Sequence, residues 1–185
     1  MLNGFHTSLL TFLPVNLADI PEIYHLRSTR RNNFLKPIGG ALEEQYDYFE
    51  RYNERYIKGL EVYLKVIVRD SGLTCGFLRI TKLSDSLSLG WESLIVKEGT
   101  PAHIGIEICM SVYFLAFDHL KRSVLGPWIV TRENLHMMKI HNRMGFTTCV
   151  DETSEAFVLI VERRVYESVK LKMIKMGFAR GFKEN

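Results

Sequence analysis

The chain has 185 residues, of which 46% are hydrophobic and 24% are charged, and its formal net charge at pH 7 is +3. This length and composition are ordinary for one globular domain, so we assign residues 1–185 to a single domain with a tail over 165–185. The small net charge argues against a nucleic-acid partner. Three scattered cysteines without metal-ligand spacing (Cys75, Cys109 and Cys149) indicate reduced thiols in the cytoplasm and no metal site.

Hydrophobic periodicity and turn residues divide the first half of the chain into four strands and two helices. Asn16 or Asp19 caps the first helix, which has Pro21 in its first turn. An Arg-rich polar loop follows this helix and ends at Pro37 and Gly39. The predicted elements are, in order, a strand over 5–15, helices over 20–26 and 41–58, and strands over 61–69, 73–83 and 88–96.

The second half of the chain begins with a loop over 97–103 and a strongly apolar helix that ends near His119. The longest apolar run, 104–117, is too short to span a bilayer and contains Glu107, so we expect no membrane insertion. The N-terminus lacks the basic segment and the cleavage site of a signal peptide. The remaining predicted elements are a strand over 124–130, a helix over 134–144, strands over 146–150 and 156–161, and a helix over 165–176.

The stretch over 130–146, which reads VTRENLHMMKIHNRMGF, carries a specific combination of features. A short apolar strand ends in polar residues, Asn134 begins an amphipathic helix of about three turns, and Gly145 ends that helix before Phe146. This combination and the element order resemble the GCN5-related N-acetyltransferase (GNAT) family, whose members transfer an acyl group from coenzyme A (CoA) to an amine. The resemblance implies an α/β fold with a central mixed, mostly antiparallel sheet of about seven strands, flanking helices and a C-terminal helical tail.

The resemblance also implies a binding loop for the pyrophosphate of acyl-CoA. In the family, the pattern Gln/Arg-x-x-Gly-x-Gly/Ala lies between a central strand and the next helix. Here the segment 97–105 reads KEGTPAHIG, and only Gly105 matches. Backbone N–H groups at a helix N-terminus bind phosphate without side chains, so we assign cofactor binding to residues near the helix start. These residues are Ala102, His103, Ile104, Gly105 and Ile106. The alternative is an ordinary loop that Thr100 caps.

Further cofactor contacts follow from the same resemblance. The pantetheine arm of CoA pairs in the family with exposed backbone of the strand before the loop, which corresponds here to Leu94 and Val96. Asn134 is expected to contact the cofactor arm, and Asn142 is a second candidate. The alternative role of Asn134 is that of a helix N-cap.

Two residues are candidates for proton transfer when an amine attacks the thioester. Glu92 lies in the middle of the apolar segment 89–94, where burial is expected to raise the pKa of a carboxyl and suit it to act as a base. Alternatively, Glu92 pairs with a basic side chain or faces solvent. His141 stands where the family usually has a tyrosine as general acid, and imidazole protonates a thiolate near neutral pH. Alternatively, His141 only packs or forms a hydrogen bond to the cofactor.

The amine acceptor is expected to bind the Arg-rich loop after the first helix. Guanidinium groups suit phosphates and carboxylates, and the candidate residues are Arg27, Arg30, Arg31 and Asn33. The segment 26–45 resembles the GNAT branch that acylates amino sugars on nucleotide carriers such as dTDP or UDP in glycan biosynthesis. The alternative is a flexible surface loop.

These observations predict an acyl-CoA-dependent N-acyltransferase that acts on a nucleotide-linked amino sugar, with no metal. One alternative is a GNAT enzyme that acts on a protein N-terminus or a free small amine such as a polyamine. Another is a GNAT-fold module without catalysis, in which the degenerate loop no longer binds CoA. The tail from Val165 packs either in its own domain or against a second subunit, so a homo-oligomer stays open.

Overall fold

The structure is a computed structural model, and it describes residues 2–28, 41–144, 148–152 and 155–184. The helices are α1 (Ile20–Ser28), α2 (Leu42–Ile57), α3 (Ala102–Phe114), α4 (Leu135–Met144) and α5 (Arg163–Lys175). The strands are β1 (Phe5–His6), β2 (Leu10–Pro14), β3 (Val62–Val68), β4 (Thr74–Thr81), β5 (Ser88–Val96), β6 (Val124–Thr131), β7 (Thr148–Glu152), β8 (Ala156–Glu162) and β9 (Lys183–Glu184).

All described strands belong to one twisted sheet with the order β7-β8-β6-β5-β4-β3-β2-β1-β9. Neighbouring strands pair antiparallel except β5 and β6, which pair parallel. A parallel pair needs a crossover connection, and α3 supplies it. The expected mixed, mostly antiparallel sheet is confirmed, with β1 and β9 as two-residue additions at one edge.

The sheet buries both faces because its central strands are apolar on both sides. On β4, Phe77 packs into a cluster with α1 and α2, whereas its neighbour Leu78 packs into a larger cluster with α3 and α5. Successive side chains of a strand point to opposite faces, so these clusters lie on opposite sides of the sheet. Met137 and Met138 of α4 pack against the larger cluster, which places α4 on the α3 side.

The first predicted strand is in fact two strands. A turn at Thr7 interrupts it, where the Thr7 hydroxyl accepts a hydrogen bond of 3.1 Å from the backbone N–H of Leu10. After the turn, β2 runs back antiparallel to β1. The apolar residues on both sides of Thr7 gave no sequence signal for this reversal.

The predicted helical tail over 165–185 is wrong beyond α5. Gly177 has a φ of +92° and ends the helix, because only glycine adopts such a backbone conformation without strain. The chain then returns to the sheet, where β9 pairs with β1. Glu107 on α3 fixes this segment, since its Oε2 accepts a hydrogen bond of 2.9 Å from the backbone N–H of Ala179.

The remaining predicted elements are found within a few residues of their expected bounds. Asn16 and Asp19 form a capping box ahead of α1, and both were predicted as candidate caps. The apolar helix α3 continues as a π-helical segment, Leu115–His119. In the described part of the chain, no helix combines the length and the apolar character needed to cross a membrane.

Candidate active site between two parallel strands

The two parallel strands of the sheet separate soon after they begin. Their pairing includes Ser88 with Val124 and Leu89 with Leu125, and no pair is formed beyond that point. Ser93 has a φ of 56° inside β5, where the register with β4 also shifts. A non-glycine residue in this conformation marks a β-bulge and local strain, which redirect the rest of the strand. The bulge therefore accompanies a gap that leaves one edge of β5 without a strand partner.

The gap coincides with the predicted pantetheine contacts. Leu94 and Val96 lie beyond the bulge, and their side chains are partly buried against the larger core cluster. Their backbone lies on the part of β5 that β6 does not pair with, as the cofactor prediction requires. The assignment of these two residues to cofactor binding stays a prediction.

His141 lies beside this gap on the α3 side of the sheet. Its side chain is fully buried, and its ring packs against Trp91 of β5 at 6.0 Å and Trp128 of β6 at 5.4 Å between centroids. Its Nδ1 atom lies 2.5 Å from the hydroxyl oxygen of Tyr113 on α3. The helix α4 thus brings His141 against the middle of β5 and β6, beside the gap between them.

The charge state of His141 differs from the expectation. Burial lowers the pKa of His141 to about 4, because an imidazolium ion is poorly solvated among aromatic rings. The side chain is therefore neutral at pH 7 rather than a protonated acid, and the assignment of His141 to proton transfer stays a prediction. A neutral imidazole still donates or accepts hydrogen bonds, so a contact with the cofactor is the role that this geometry favours.

Glu92 does not occupy the apolar setting expected for a base with a raised pKa. Its side chain is 49% exposed, and its Oε1 accepts a hydrogen bond of 2.6 Å from Nη2 of Arg79. Glu92 lies on the α2 side of the sheet, where the core cluster formed with α1 and α2 includes residues of β3 and β4 but none of β5. The alternative of a partner with opposite charge is the one observed.

Arg79 joins Glu92 to a larger polar network on the α2 side of the sheet. Arg79 also donates a hydrogen bond to the Tyr48 hydroxyl of α2 and lies 3.8 Å from Oε2 of Glu61. Glu61 accepts a hydrogen bond of 2.9 Å from Nε of Arg55. Two acidic and two basic side chains therefore alternate across this face, and their charges balance.

The start of α3 is open, as a phosphate site requires. Ala102 and His103 are exposed, and a Cβ atom added at Gly105 would meet no atom within 4 Å. No side chain caps this helix in the described part of the chain, and the N-cap position is Pro101. The alternative of a Thr100 cap is wrong, because the Thr100 hydroxyl instead donates to the backbone oxygen of Cys75 at 3.4 Å.

Two of the predicted phosphate contacts are less open than the others. Ile104 is buried, and its backbone N–H already donates to the carbonyl oxygen of Pro101 at 2.9 Å. The prediction that the backbone N–H of Ile104 binds phosphate is therefore corrected, because this N–H already has a hydrogen-bond partner. Ile106 is half-buried one turn into the helix. Ala102, His103 and Gly105 are left as the accessible positions.

The two candidate asparagines, one just before α4 and one within it, have different surroundings. Asn134 acts as a cap, since its Oδ1 accepts a hydrogen bond of 3.2 Å from the backbone N–H of Met137. Asn142 is exposed, next to the buried His141. Capping uses only Oδ1 of Asn134 and leaves its amide nitrogen for a cofactor contact. The cofactor assignments of Asn134 and Asn142 therefore both stay predictions.

The predicted acceptor loop is only partly described. Arg27 is half-buried in the last turn of α1, and its charge acts on the phenol of Tyr63. Arg30, Arg31 and Asn33 lie outside the described residues, so their role stays a prediction. In the described ranges, no group of three or more His, Cys, Asp or Glu side chains is placed to hold a metal ion.

Sequence reasoning missed several side chains of this site. Trp91, Trp128 and Tyr113 have the pattern of core residues in apolar segments, and nothing in one sequence shows that their rings meet His141. Arg79 was overlooked in the predicted strand over 73–83. The sequence signal for Arg79 is its charge within an apolar strand, because a charged side chain in such a place needs a partner of opposite charge.

Comparison with solved structures identifies the fold. At the level of sequence, no protein-family model and no curated protein matches the chain. The chain is similar to an apo structure of FdhC, a nucleotide-linked sugar GNAT, with a TM-score of 0.80 and 20% identity over 95% of this chain and 98% of that one. It is also similar to the acetyl-CoA complex of the Campylobacter jejuni N-acetyltransferase PseH, with a TM-score of 0.64 and 17% identity over 84% and 99%.

A third solved structure with the same fold is the spermidine N-acetyltransferase from Vibrio cholerae in complex with CoA and spermine. The TM-score is 0.66, with 14% identity over 86% of this chain and 99% of that one. The fold expected from the sequence is thereby confirmed, and the chain has the GNAT fold. At these identities the comparisons establish the fold, and the choice of substrate needs a separate argument.

Proposed function

We propose that this GNAT-fold chain is an acyl-CoA-dependent N-acyltransferase whose acceptor is the amine of a nucleotide-linked amino sugar. The observation that carries the proposal is the gap between β5 and β6 beside the uncapped start of α3. The gap leaves backbone of β5 for an extended ligand, and the helix start offers N–H groups and a positive dipole end to its phosphates.

The residues present fit acyl-CoA. Gly105 leaves open space where the cofactor phosphates are expected, and His103 is an exposed neighbour at the same helix end. Leu94 and Val96 offer backbone groups for the pantetheine amides. When bound, acyl-CoA supplies an activated thioester carbonyl carbon that a neutral amine attacks.

The side chains of the two sheet faces have different roles in this proposal. On the α3 side, the neutral His141 contacts the thioester end of the acyl donor. On the α2 side, Glu92 accepts a hydrogen bond from the incoming amine and orients its lone pair. Arg79 holds Glu92 in place. A sugar amine is less basic than a lysine amine, so a larger share of it is unprotonated at pH 7 and Glu92 need not be a strong base.

The acceptor assignment has two supports. The solved structure with the TM-score of 0.80 is described as a nucleotide-linked sugar GNAT and covers 95% of this chain. The Arg27 side chain also places a guanidinium at the end of α1, where the Arg-rich loop begins, and a diphosphate suits such groups.

A polyamine acceptor, which the spermidine enzyme suggests, would favour an acidic cleft. The balanced network of Glu61, Glu92, Arg55 and Arg79 does not provide one.

Thermal shift and acyl transfer test this proposal with one set of ligands. We expect CoA and acetyl-CoA to raise the melting temperature, and one dTDP- or UDP-amino sugar to raise it further. Thiol release from acetyl-CoA, followed with a chromogenic disulfide, should depend on that sugar. Thiol release that depends on spermidine but on no nucleotide sugar would show that the acceptor is a polyamine and not a nucleotide-linked amino sugar. Absence of a shift with every CoA species would favour the module without catalysis.

A further inference from the structure

Three ring nitrogens in one buried cluster have no hydrogen-bond partner within the described ranges. They are Nε1 of Trp91, Nε1 of Trp128 and Nε2 of His141. The three rings pack against one another, with centroid separations from 5.4 to 6.0 Å. Buried polar groups are nearly always paired in folded proteins, because an orphaned group loses its hydration without compensation. Three orphans in one cluster therefore indicate a place where a ligand completes the hydrogen bonds.

The chemistry of the three nitrogens decides what kind of ligand group fits. An indole nitrogen carries a proton and acts only as a donor. The Nε2 atom of a neutral imidazole is a donor or an acceptor, depending on which tautomer is present. The hydrogen bond at the other ring nitrogen selects the tautomer. The role of His141 therefore depends on its contact with Tyr113.

Tyr113 approaches Nδ1 of His141 to 2.5 Å between heavy atoms. A phenol O–H is a stronger donor than the N–H of a neutral imidazole, and an imidazole nitrogen is a stronger acceptor than a phenol oxygen. The hydroxyl therefore donates to Nδ1, which leaves the ring proton on Nε2. Burial raises the pKa of Tyr113 and lowers that of His141, so both groups are neutral at pH 7.

We infer that Tyr113 is a positioning residue that holds His141 as its Nε2–H tautomer. His141, Trp91 and Trp128 then form a donor-only subsite for a hydrogen-bond acceptor on the acyl group. This inference rests on the proposed function, since it requires the acyl end of the donor to enter the gap beside β5. A thioester carbonyl oxygen accepts hydrogen bonds through its lone pairs, whereas the thiol of free CoA is only a weak acceptor.

The tautomer is measured without any substrate. Long-range ¹H–¹⁵N correlation spectra of labelled wild-type protein at pH 7 distinguish the two tautomers, and a His141→Gln variant identifies the His141 signals. We expect the Nε2–H pattern in the wild type and a change toward the other tautomer in Tyr113→Phe. Tyr166→Phe is the matched control, because it removes a buried hydroxyl that bonds to Asp118 after α3 and that makes no hydrogen bond to His141. An Nδ1–H tautomer in the wild type overturns the inference.

Calorimetric titration with acetyl-CoA and free CoA tests the subsite itself. We expect the wild type to bind acetyl-CoA about tenfold more tightly than CoA, the value of one added hydrogen bond. The ratio should fall toward one in His141→Phe and Tyr113→Phe and persist in Tyr166→Phe. Equal affinities in the wild type would contradict the subsite. Because no acceptor is used, a protein that keeps the tautomer and the preference but acylates no nucleotide sugar would overturn only the proposed acceptor.

Discussion

Arg79 on β4 donates a hydrogen bond of 2.6 Å from Nη2 to Oε1 of Glu92 on β5, across two antiparallel strands. The two residues are register partners, so their side chains lie on the same face of the sheet. Their hydrogen bond holds the Glu92 carboxylate next to the bulge at Ser93. About half of the Glu92 side chain stays exposed although it pairs with Arg79.

Replacing Glu92 tests whether this carboxylate assists the amine. We expect Glu92→Gln to lower kcat/KM for the amino sugar by about 10²-fold, the lower end for a group that handles a proton. The loss should be larger at pH 6 than at pH 8, because unprotonated amine is scarcer at low pH. Glu98→Gln is the control, since Glu98 is exposed in the loop after β5. Rates equal to wild type across this range would mean that the amine arrives neutral without help.

The burial of His141 makes stability depend on pH. The pKa of His141 is lowered to about 4 in the folded protein, so the stabilisation from the neutral ring is complete above the unfolded value of 6.5. It is lost as the pH falls toward 4. From this shift we expect about 3 kcal/mol less unfolding free energy at pH 4 than at pH 7.5. Urea unfolding of wild type and His141→Phe at both pH values measures this, and an equal change in both proteins would contradict it.

Glu107 has the opposite linkage. Burial raises the pKa of this carboxyl, so its contribution to stability is complete below the unfolded value and is lost as the pH rises through the folded one. Glu107→Gln imitates the neutral form and retains an acceptor for the Ala179 N–H. We expect its stability relative to wild type to increase between pH 5 and pH 8, as measured by urea unfolding.

A separate variant of Glu107 tests its hold on the C-terminal segment. Glu107→Ala leaves the buried Ala179 N–H without its acceptor, which should cost about 1–3 kcal/mol of unfolding free energy. For the pH test with Glu107→Gln, an unfolding free energy that differs from wild type by the same amount at pH 5 and pH 8 would mean that burial does not raise the pKa of Glu107.

Gly105 separates helix stability from cofactor binding. A Cβ atom at this position meets no neighbour, and alanine is favoured over glycine inside a helix by about 1 kcal/mol. We expect Gly105→Ala to raise the melting temperature of the free protein. The same methyl group should weaken acetyl-CoA binding at least tenfold, because it occupies the space expected for the phosphates.

Calorimetry and thermal melts of one Gly105→Ala preparation supply both readings. Ser168→Ala is the matched control, because it also introduces alanine on an exposed helix face, on α5. A stabilised Gly105→Ala variant with wild-type affinity would place the phosphates elsewhere. Affinity lost together with stability would instead indicate a damaged fold.

Local patterns were sufficient for most of the elements. Alternating apolar residues predicted β3, turn residues on either side placed β4 and β5, and helical spacing with a cap at Asn16 or Asp19 predicted α1. These signals depend on neighbours in the chain, which a sequence displays directly. The return of the tail to β1 is not predicted, because it depends on a distant partner, Glu107. The turn at Thr7 is not predicted, because the apolar residues on both sides of it hide a local turn from Thr7 to Leu10.

The sequence by itself, through its element order and its resemblance to the GNAT family, indicated the fold class and placed Glu92 within β5 and His141 within α4, because these assignments depend on residues that are close together in the chain. Only the tertiary structure decided the surroundings, the exposure and the hydrogen bonds of these two side chains. It buried His141 among Trp91, Trp128 and Tyr113, which makes the ring neutral, and it exposed Glu92 beside Arg79. The pKa and hydrogen bonding of a side chain depend on groups that are far away in sequence, and a local pattern carries no record of them.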